Sequence, residues 1–384
     1  MASLVLKAWP PPVELHLPLN GLAPAPGLKT GRRAAAGQLL ARGRPGGPAS
    51  LHAPFSGTAV LIDARFLTFR PDPDPGPDPE AKDRPDRPAG RSSLPGLPEV
   101  RDLAGLTGSA LAEAFSDLGL AVPPEPLPGQ AAVVSAFDPE PGWEMAAALW
   151  SEWPQVMAAG LEAVRRLYPG CPVLICAPPE RLHLPETGCR IMHLEYPATM
   201  LPLVRAAAEG RLRPGPDSLR AAVSSRTLFQ MGQILRRGRP PLTWPMIVQN
   251  QNYLVPLGLR PLDILRTVRL EPLDGDAAVL GGLLRGQPAA RLDWGLGPET
   301  EALHLVRRQD LAKQPGPCRR CRSCRRACPL DLPVDRPAGE PLSQWPRLGP
   351  VCRELLAGCL DCGQCARHCP AGRPLRLLAL AARP

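Results

Sequence analysis

The first seventy residues show apolar positions that alternate with polar ones in short runs between glycine turns. The run VELHLPL, which begins at Val13, alternates strictly, and HAPFSGTAVLIDARF, which ends at Phe66, closes in an apolar stretch; both are typical of β-strands. Repeated short strands with glycine turns predict a small β barrel-sandwich domain over residues 1–70. Residues 71–98 are rich in Pro, Asp and Arg and have little to bury, so they predict a solvated linker.

From residue 99 to residue 240 the pattern is that of an α/β domain. A helix is predicted over residues 103–120. The apolar runs AAVVSA, residues 131–136, and PVLICA, residues 172–177, predict buried strands. Between these strands we predict a helix over residues 143–168, whose apolar face is made by residues three or four positions apart: Trp150, Trp153, Met157, Leu161, Val164 and Tyr168.

A strand, a helix and a strand in this order form a βαβ unit, which predicts a parallel, Rossmann-like sheet in the 99–240 domain. Ligands of such sheets bind beyond the carboxyl ends of the strands, here the segment FDPEPG at residues 137–142. Two further helices are predicted over residues 199–209 and 226–237, with Gly238 closing the second. Short strands over residues 246–255 and a helix that starts at Pro261 follow.

Eight of the twelve cysteines fall into two runs with one spacing, C-x2-C-x2-C-x3-C, each followed by proline. Such a doubled run is typical of ferredoxins with two [4Fe–4S] clusters, in which each cluster takes three thiolates from one run and the fourth from the other. The sequence therefore predicts two clusters. The first is predicted to be held by Cys318, Cys321, Cys324 and Cys369, and the second by Cys359, Cys362, Cys365 and Cys328.

Zinc is the main alternative for these cysteines, because C-x2-C pairs are also the commonest zinc spacing. The third cysteine two residues on, the fourth three further and the proline behind it, all repeated, favour clusters. Haem attachment is excluded because neither C-x2-C pair is followed directly by His. A disulfide framework is not expected in a chain of 384 residues without a secretion signal.

Charge and composition narrow the class of partner. The net charge of +9 suits an anionic partner, but aromatic residues make up only 4% and no nucleic-acid-binding motif occurs, so nucleic acid is not expected. An acidic redox partner or a lipid surface is expected instead, with a solvated basic surface as the alternative. Positive charge favours the more negative reduced cluster, so the first cluster is expected to have the higher reduction potential. Its run contains five arginines: Arg319, Arg320, Arg322, Arg325 and Arg326.

No apolar run is long enough to span a bilayer, and MASLVLKAWPPPVEL at the start of the chain lacks the basic beginning of a signal peptide. Cluster assembly requires reduced thiolates, which indicates the cytoplasm. We therefore expect any membrane association to be peripheral or through partner subunits.

With these motifs in place, the chain resembles the C subunit of the Rnf electron-transport complex, a relative of the flavin-carrying subunit of respiratory complex I. The resemblance implies an α/β multidomain fold in which a β barrel-sandwich domain and a Rossmann-like domain precede a small β-grasp-like segment over residues 241–300. A ferredoxin-like α domain with two [4Fe–4S] clusters over residues 301–384 completes it. Besides the cysteines, four segments carry the similarity: residues 28–38 to VKxGDxVxxGQ, residues 52–60 to HAxxSGTV, residues 196–210 to YPQGxEKxLIxAxxG, and residues 252–265 to VPIGTPxxDLL.

One family motif is not matched. Members that react with NADH through FMN carry a GGAGFPT loop, in which backbone amides approach phosphate closely. The matching residues 119–123 read GLAVP. The family's acidic run ECEP is matched by DPEP, so we interpret Asp138 and Glu140 as a vestigial nucleotide site, with a turn before a helix as the alternative. FMN and NADH binding are therefore not expected.

The resemblance implies a subunit on the cytoplasmic side of the cell membrane that relays single electrons through two clusters in an ion-translocating complex. Its implied partners are the membrane subunits of an Rnf-type complex and an acidic redox protein such as a ferredoxin, a flavodoxin or a cytochrome. Two alternatives stay open. One is an NADH- or FMN-dependent oxidoreductase subunit of the same superfamily, and the other is a non-catalytic docking module with structural clusters.

Overall fold

The computed structural model describes residues 6–43, 49–63, 65–73, 100–179, 189–215, 217–310 and 315–381. The predicted linker lies almost entirely outside these residues. Within them the chain is mixed α/β, with four sheets and eleven α-helices. The strands are β1 (Lys7–Ala8), β2 (Leu15–Pro18), β3 (Ala23–Pro24), β4 (Arg33–Ala34), β5 (Leu39–Arg42), β6 (Leu51–His52), β7 (Gly57–Ile62), β8 (Phe66–Pro71), β9 (Ala132–Ser135), β10 (Val173–Ala177), β11 (Cys189–Ile191), β12 (Ala222–Ser224), β13 (Thr243–Val248), β14 (Gln251–Pro256), β15 (Ala277–Leu280), β16 (Gln287–Pro288) and β17 (Ala302–Val306).

The helices confirm the predicted periodic segments in part. Those over residues 199–209 and 226–237 are present, and Gly238 ends the latter in the left-handed conformation that glycine adopts easily. No helix in the described part of the chain is long and apolar enough to cross a membrane. In chain order the helices are α1 (Gly108–Asp117), α2 (Met145–Glu152), α3 (Pro154–Leu167), α4 (Leu201–Ala208), α5 (Ser225–Arg237), α6 (Pro261–Thr267), α7 (Ser323–Arg326), α8 (Asp335–Ala338), α9 (Gly349–Leu355), α10 (Gln364–Arg367) and α11 (Arg376–Ala381).

The predicted helix over residues 143–168 is interrupted. It forms as α2 and α3, which meet at Trp153. Pro154 is the cause, because its ring disfavours the helical conformation of the preceding residue and it has no N–H to continue the ladder. Proline is well suited to the first position of a helix, so a new helix starts there at once.

The first part of the chain forms two small antiparallel sheets, with strand orders β2-β8-β7-β4 and β3-β5-β6. Their alternating residues point inward as the sequence pattern predicts, so that Leu15, Leu17, Leu40 and Phe69 are fully buried. The same apolar cluster includes Met246 and other residues of the next sheet, so the two antiparallel sheets share a core with it.

The predicted βαβ unit is confirmed. Strands β9 and β10 pair in parallel, with Val134 opposite Ile175, and the complete sheet is parallel in the order β11-β10-β9-β12. The chain passes from β9 to β10 and β11 on one side and then crosses to β12 on the other side, so the strand order reverses beside β9. Ligands of such sheets bind at the carboxyl ends of the strands where the order reverses. Residues 136–144 run from this end of β9 to α2.

A six-stranded mixed sheet has the order β1-β14-β13-β17-β15-β16. It takes in β1 from the start of the chain, which pairs in parallel with β14, and β17 from within residues 301–384. Residues 281–286, with sequence GGLLRG, connect β15 to β16, and we call them the 281–286 turn. Helices α7 to α11 follow and bury a separate small core around Cys352, Leu356 and Leu375.

Candidate metal centres

The two cysteine runs adopt the same backbone conformation. The residues two positions after the first cysteine, Arg320 and Asp361, have φ angles of 52° and 54°, in the left-handed region. Two positions on, Arg322 and Gly363 are left-handed as well, with φ angles of 57° and 73°, and a one-turn helix begins directly after each. Left-handed residues turn the chain sharply, so each run curls around a point.

Each run encloses a hollow that the other run completes. Three cysteines of one run and the last cysteine of the other line each hollow, so all eight predicted cysteines lie at one of the two. Including space open to solvent, the hollow completed by Cys369 has a volume of about 370 Å³ and the hollow completed by Cys328 has a volume of about 390 Å³. The first cysteine site is lined by Cys318, Cys321, Cys324 and Cys369, and the second by Cys359, Cys362, Cys365 and Cys328.

Backbone N–H groups point at several of the sulfur atoms. The N–H of Arg320 lies 3.4 Å from the Sγ of Cys318, and the N–H of Asp361 lies 3.4 Å from the Sγ of Cys359. The N–H of Leu332 donates to the Sγ of Cys328 over the same distance. Donors of this kind stabilise negative charge on sulfur, so the left-handed turns prepare the sites for thiolates.

Burial affects thiols at both sites, and at the first site it raises the pKa of Cys324. Burial raises the pKa of Cys362 to about 11 and that of Cys365 to about 12, because a thiolate loses solvation in the second site. At the first site, the hydroxyl of Ser323 lies 3.4 Å from the Sγ of Cys321 and lowers the pKa of that exposed thiol. Buried thiolates require a cation close by, and bound metal supplies one.

The donor arrangement fits a cluster better than a single ion. Among the described residues, no three His, Cys, Asp or Glu side chains converge closely enough to hold one metal ion. Structural zinc needs four ligands within about 2.0 to 2.3 Å of one point. In a four-iron cluster each cysteine binds a different iron atom, so the four sulfurs surround a cage and stay apart. Four cysteines around a hollow are the donors that such a cage requires.

The first site faces outward. Cys321 and the side chains of Arg319 and Arg320 are exposed. Two of the five arginines in this run pair with acids: Arg322 approaches Asp335 to 3.7 Å, and Arg325 approaches Asp331 to 3.1 Å. The positive charge at this surface is therefore partly neutralised within the chain.

The second site packs against the body of the protein. Asp361 forms a two-pronged ion pair with Arg376, at 2.5 and 2.7 Å, and Arg376 also donates to the carbonyl of Gly286 in the 281–286 turn. The hydroxyl of Tyr196 donates to the carbonyl of Cys362. A Cβ at Gly363 would lie 2.4 Å from the carbonyl oxygen of Leu284, so glycine is needed where the turn and the cysteine run meet.

The structure places Asp138 and Glu140 near this turn, each with partners inside the protein. Asp138 accepts a hydrogen bond from the N–H of Ala146 in the first turn of α2, at 2.9 Å. The carboxylate of Glu140, of which 4% is exposed, accepts from the N–H groups of Leu284 at 3.2 Å and Arg285 at 2.8 Å. Burial raises the pKa of Glu140, although these two donors act to lower it.

Residues 119–124 lie away from these acids. The carbonyl of Pro123 accepts from the hydroxyl of Tyr168, and that of Pro124 accepts from the N–H of Ala221. Tyr168 directly follows α3 and Ala221 directly precedes β12, so this segment runs past the amino ends of the parallel strands. Asp138 and Glu140 follow the carboxyl end of β9. Pro123 and Pro124 therefore lie at the opposite end of the parallel strands from Asp138 and Glu140.

Sequence reasoning missed the groups that hold the second site in place, namely Tyr196, Arg376 and the 281–286 turn. The turn carried one usable signal, since three of its six residues are glycine. Nothing in the sequence places that turn beside a cysteine run some eighty residues later. A fourth missed residue, Arg373, lines the first site and is 4% exposed.

Comparison with known proteins gives little beyond these observations. No family model matches the chain, and no curated protein matches it. A solved structure described as NAD⁺-reducing [NiFe]-hydrogenase in the H2-reduced state is similar over 72% of this chain at 16% sequence identity, with a TM-score of 0.45. The match covers 63% of the hydrogenase chain, so it extends over less than two thirds of that protein's length.

Proposed function

We propose that this chain is an electron-transfer subunit similar to the C subunit of the Rnf complex, with two [4Fe–4S] clusters as its redox groups. The observation that carries the proposal is the crossed lining of the two hollows, in which Cys369 completes the first site and Cys328 the second. In ferredoxins with two such runs, the fourth cysteine of each run binds the cluster of the other run. Two separate zinc sites do not require their ligands to be shared between the runs in this way.

The residues of the chain have distinct parts in this proposal. The eight cysteines hold the clusters, and the N–H groups of Arg320, Leu332 and Asp361 stabilise negative charge on the cysteine sulfurs that they face. Each cluster supplies a site that accepts and releases one electron. Exposed Cys321 makes the first site the point of exchange with a soluble partner, and the packing around Cys362 shields the second site from water.

We propose further that this subunit does not use NADH or FMN. Two observations support this. The oxygens of Glu140 already accept hydrogen bonds from the 281–286 turn. Pro123, the last residue of the segment that stands where the family has its glycine-rich loop, lies with Pro124 at the amino ends of the parallel strands. In this proposal Asp138 and Glu140 are what remains of a nucleotide site, now used to hold α2 and the turn.

The proposed partners follow from charge and from the resemblance. Arg319, Arg320 and Arg326 are exposed around the first site and have no ion pair among the described residues, so they can dock an acidic ferredoxin, flavodoxin or cytochrome. Attachment to the membrane is proposed to occur on its cytoplasmic side, through the membrane subunits of an Rnf-type complex.

Metal analysis tests the proposal directly. After anaerobic reconstitution, the full chain is expected to contain about eight irons and eight sulfides, with two signals in electron paramagnetic resonance (EPR) on reduction. Cys369→Ser is expected to disturb only the cluster of the first run, and Cys328→Ser only that of the second. Bound zinc without sulfide would overturn the proposal, and so would serine variants that each disturb the cluster of their own run.

Flavin analysis tests the second part. Protein purified anaerobically is expected to contain no FMN. After chemical reduction, its clusters are expected to stay reduced when NAD⁺ is added, so that their visible absorbance does not rise. Stoichiometric FMN together with rapid reoxidation by NAD⁺ would identify a flavoenzyme of the same superfamily instead.

A further inference from the structure

The matched geometry of the two runs allows their linings to be compared position by position. Four residues after its last cysteine, each run contributes a side chain to the hollow that this cysteine completes. From the first run this residue is Leu332, which lines the second site. From the second run it is Arg373, which lines the first site. One local structure therefore places an apolar side chain beside one set of cysteines and a cation beside the other.

Arg373 is an unusual residue in the lining of a cysteine site, because the side chain is charged and yet only 4% of the residue is exposed. Its Nη2 donates to the carbonyl of Glu340, and its Nη1 lies 3.5 Å from the carbonyl of Gly316. The guanidinium lies 4.9 Å from the centre of the Trp345 ring. These contacts fix the side chain and leave its charge without a carboxylate partner among the described residues.

One hydrogen-bond donor of Arg373, its Nε–H, is unsatisfied within the described part of the chain. The atom is also shielded from solvent. A buried N–H without an acceptor is costly, and native proteins rarely leave one unsatisfied. Arg373 lines the hollow of the first site, so a group bound there can supply an acceptor.

The arginine at the second site is different. Arg376 lines that hollow, but Asp361 faces it at 2.5 and 2.7 Å and neutralises its charge. At the first site Asp335 is the only acid in the lining among the described residues, and it lies 3.7 Å from Arg322. The two sites therefore differ by one buried cation without a counter-charge.

We infer that Arg373 tunes the first cluster: its Nε–H donates to a sulfur of that cluster or its cysteines, and its charge raises the cluster's reduction potential above that of the second. The reduced cluster carries one more negative charge than the oxidised one, so a nearby buried cation stabilises reduction. This inference rests on the proposed function. It assigns the potential difference to one buried arginine rather than to the five arginines of the first run, whose exposed members are screened by salt.

A redox titration followed by EPR on the reconstituted full chain tests the inference. In Arg373→Gln, which keeps polar character but removes the charge, the ratio of reduced to oxidised first cluster at the wild-type midpoint is expected to fall at least tenfold. For a one-electron couple this corresponds to a downward shift of about 59 mV. Arg373→Lys keeps the charge and is expected to shift far less. Arg319→Gln removes an exposed charge from the same lining, and is expected to shift little. The second cluster is expected to be unchanged in all three variants.

Each outcome decides the question. If Arg373→Gln holds both clusters and the first midpoint does not move, the inference is wrong while the proposed function stands. If Arg373→Gln and Arg373→Lys both lose the first cluster, Arg373 has a packing role only and the inference is rejected. If only the lysine variant keeps the cluster, the site requires the charge, which supports it. A wild-type chain without iron and sulfide rejects the proposed function itself.

Discussion

Within the described part of the chain, four arginines and one aspartate line the hollow of the first cysteine site. The charged residues that line the second are one arginine and one aspartate, which pair with each other. Cys321 is exposed, while Cys362, at the same place in the second run, is buried beside Tyr196. The spacing and the left-handed turns are the same in both runs. The difference thus comes from neighbouring parts of the fold. A cysteine motif defines how donors are arranged, and the elements packed on it define charge and access.

Changing Gly363 tests this comparison most severely. In Gly363→Ala, the new Cβ would stand 2.4 Å from the carbonyl oxygen of Leu284, and a left-handed alanine costs about 1 to 2 kcal/mol in addition. We expect loss of the second cluster, measured as about half the iron, and a lower melting temperature. Arg322→Gly is the matched control, because Arg322 has the same backbone conformation at the exposed site. If the alanine variant kept all its iron, the packing of the turn on the second site would be in doubt.

Breaking the ion pair of the second site is expected to have the next largest effect. Arg376→Met leaves the carboxylate of Asp361, 9% exposed, without its cation, which costs about 3 kcal/mol in buried pairs. Arg322→Met breaks the corresponding contact at the first site, where the arginine is 74% exposed, and is expected to cost less than about 1 kcal/mol. Urea unfolding of both variants measures the contrast. The double variant Asp361→Asn/Arg376→Met should recover part of the loss, and equal costs at the two sites would contradict the comparison.

The stability of the contact between Glu140 and the 281–286 turn, which packs on the second site, is expected to depend on pH. Its pKa is raised by burial above the ordinary value of 4.5, so the folded chain holds this proton more tightly than the unfolded chain does. The stability that Glu140 contributes is full below pH 4.5 and is lost as the pH rises through the folded-state pKa. We therefore expect wild type to lose stability relative to Glu140→Gln over that range. Urea unfolding at several pH values measures the difference, and a difference that grows with pH in favour of wild type would contradict the assignment.

The exposed arginines are expected to have the smallest effect. Replacing Arg319, Arg320 and Arg326 with Gln should slow association with an acidic ferredoxin several-fold at low salt, and the effect should fade near physiological salt. Both midpoint potentials are expected to move little, since these side chains are solvated. Stopped-flow kinetics at two ionic strengths measures the rates. A rate that does not depend on salt in wild type would show that these arginines do not steer a partner.

The sequence predicted most of the local structure, and the role of the eight cysteines as cluster donors stays a prediction. Period-two alternation indicated the strands that bury Leu15 and Leu17, and apolar periodicity indicated α3 and α5. The grouping of Cys369 and Cys328 with the opposite runs was predicted from spacing, and each of the two lines the hollow of the opposite run. The strands, the helices and this grouping all depend on residues close together in the chain or on a motif with a fixed spacing.

Long-range contacts were outside the reach of the sequence. Strands β11 and β12 are three residues long, too short to show a period, and their places in the sheet depend on pairing with distant residues. The contacts of Glu140 span more than 140 positions. In the sequence, Arg373 cannot be told apart from the other arginines of a basic chain. It is buried by contacts with Trp345 and Glu340, and the spacing of the cysteines does not predict where those two residues lie.

The six-stranded sheet ends on both sides in strands of only two residues. On one side β1 covers β14, and its Lys7 donates to Gln251 and lies over the ring of Tyr253. On the other side β16 contains Pro288, which has no N–H to offer. Short edges that carry lysine or proline resist the addition of a further strand from another molecule. A partner protein is therefore expected to recognise this chain by side chains and surface charge, so that the contact can form and break without remodelling the sheet.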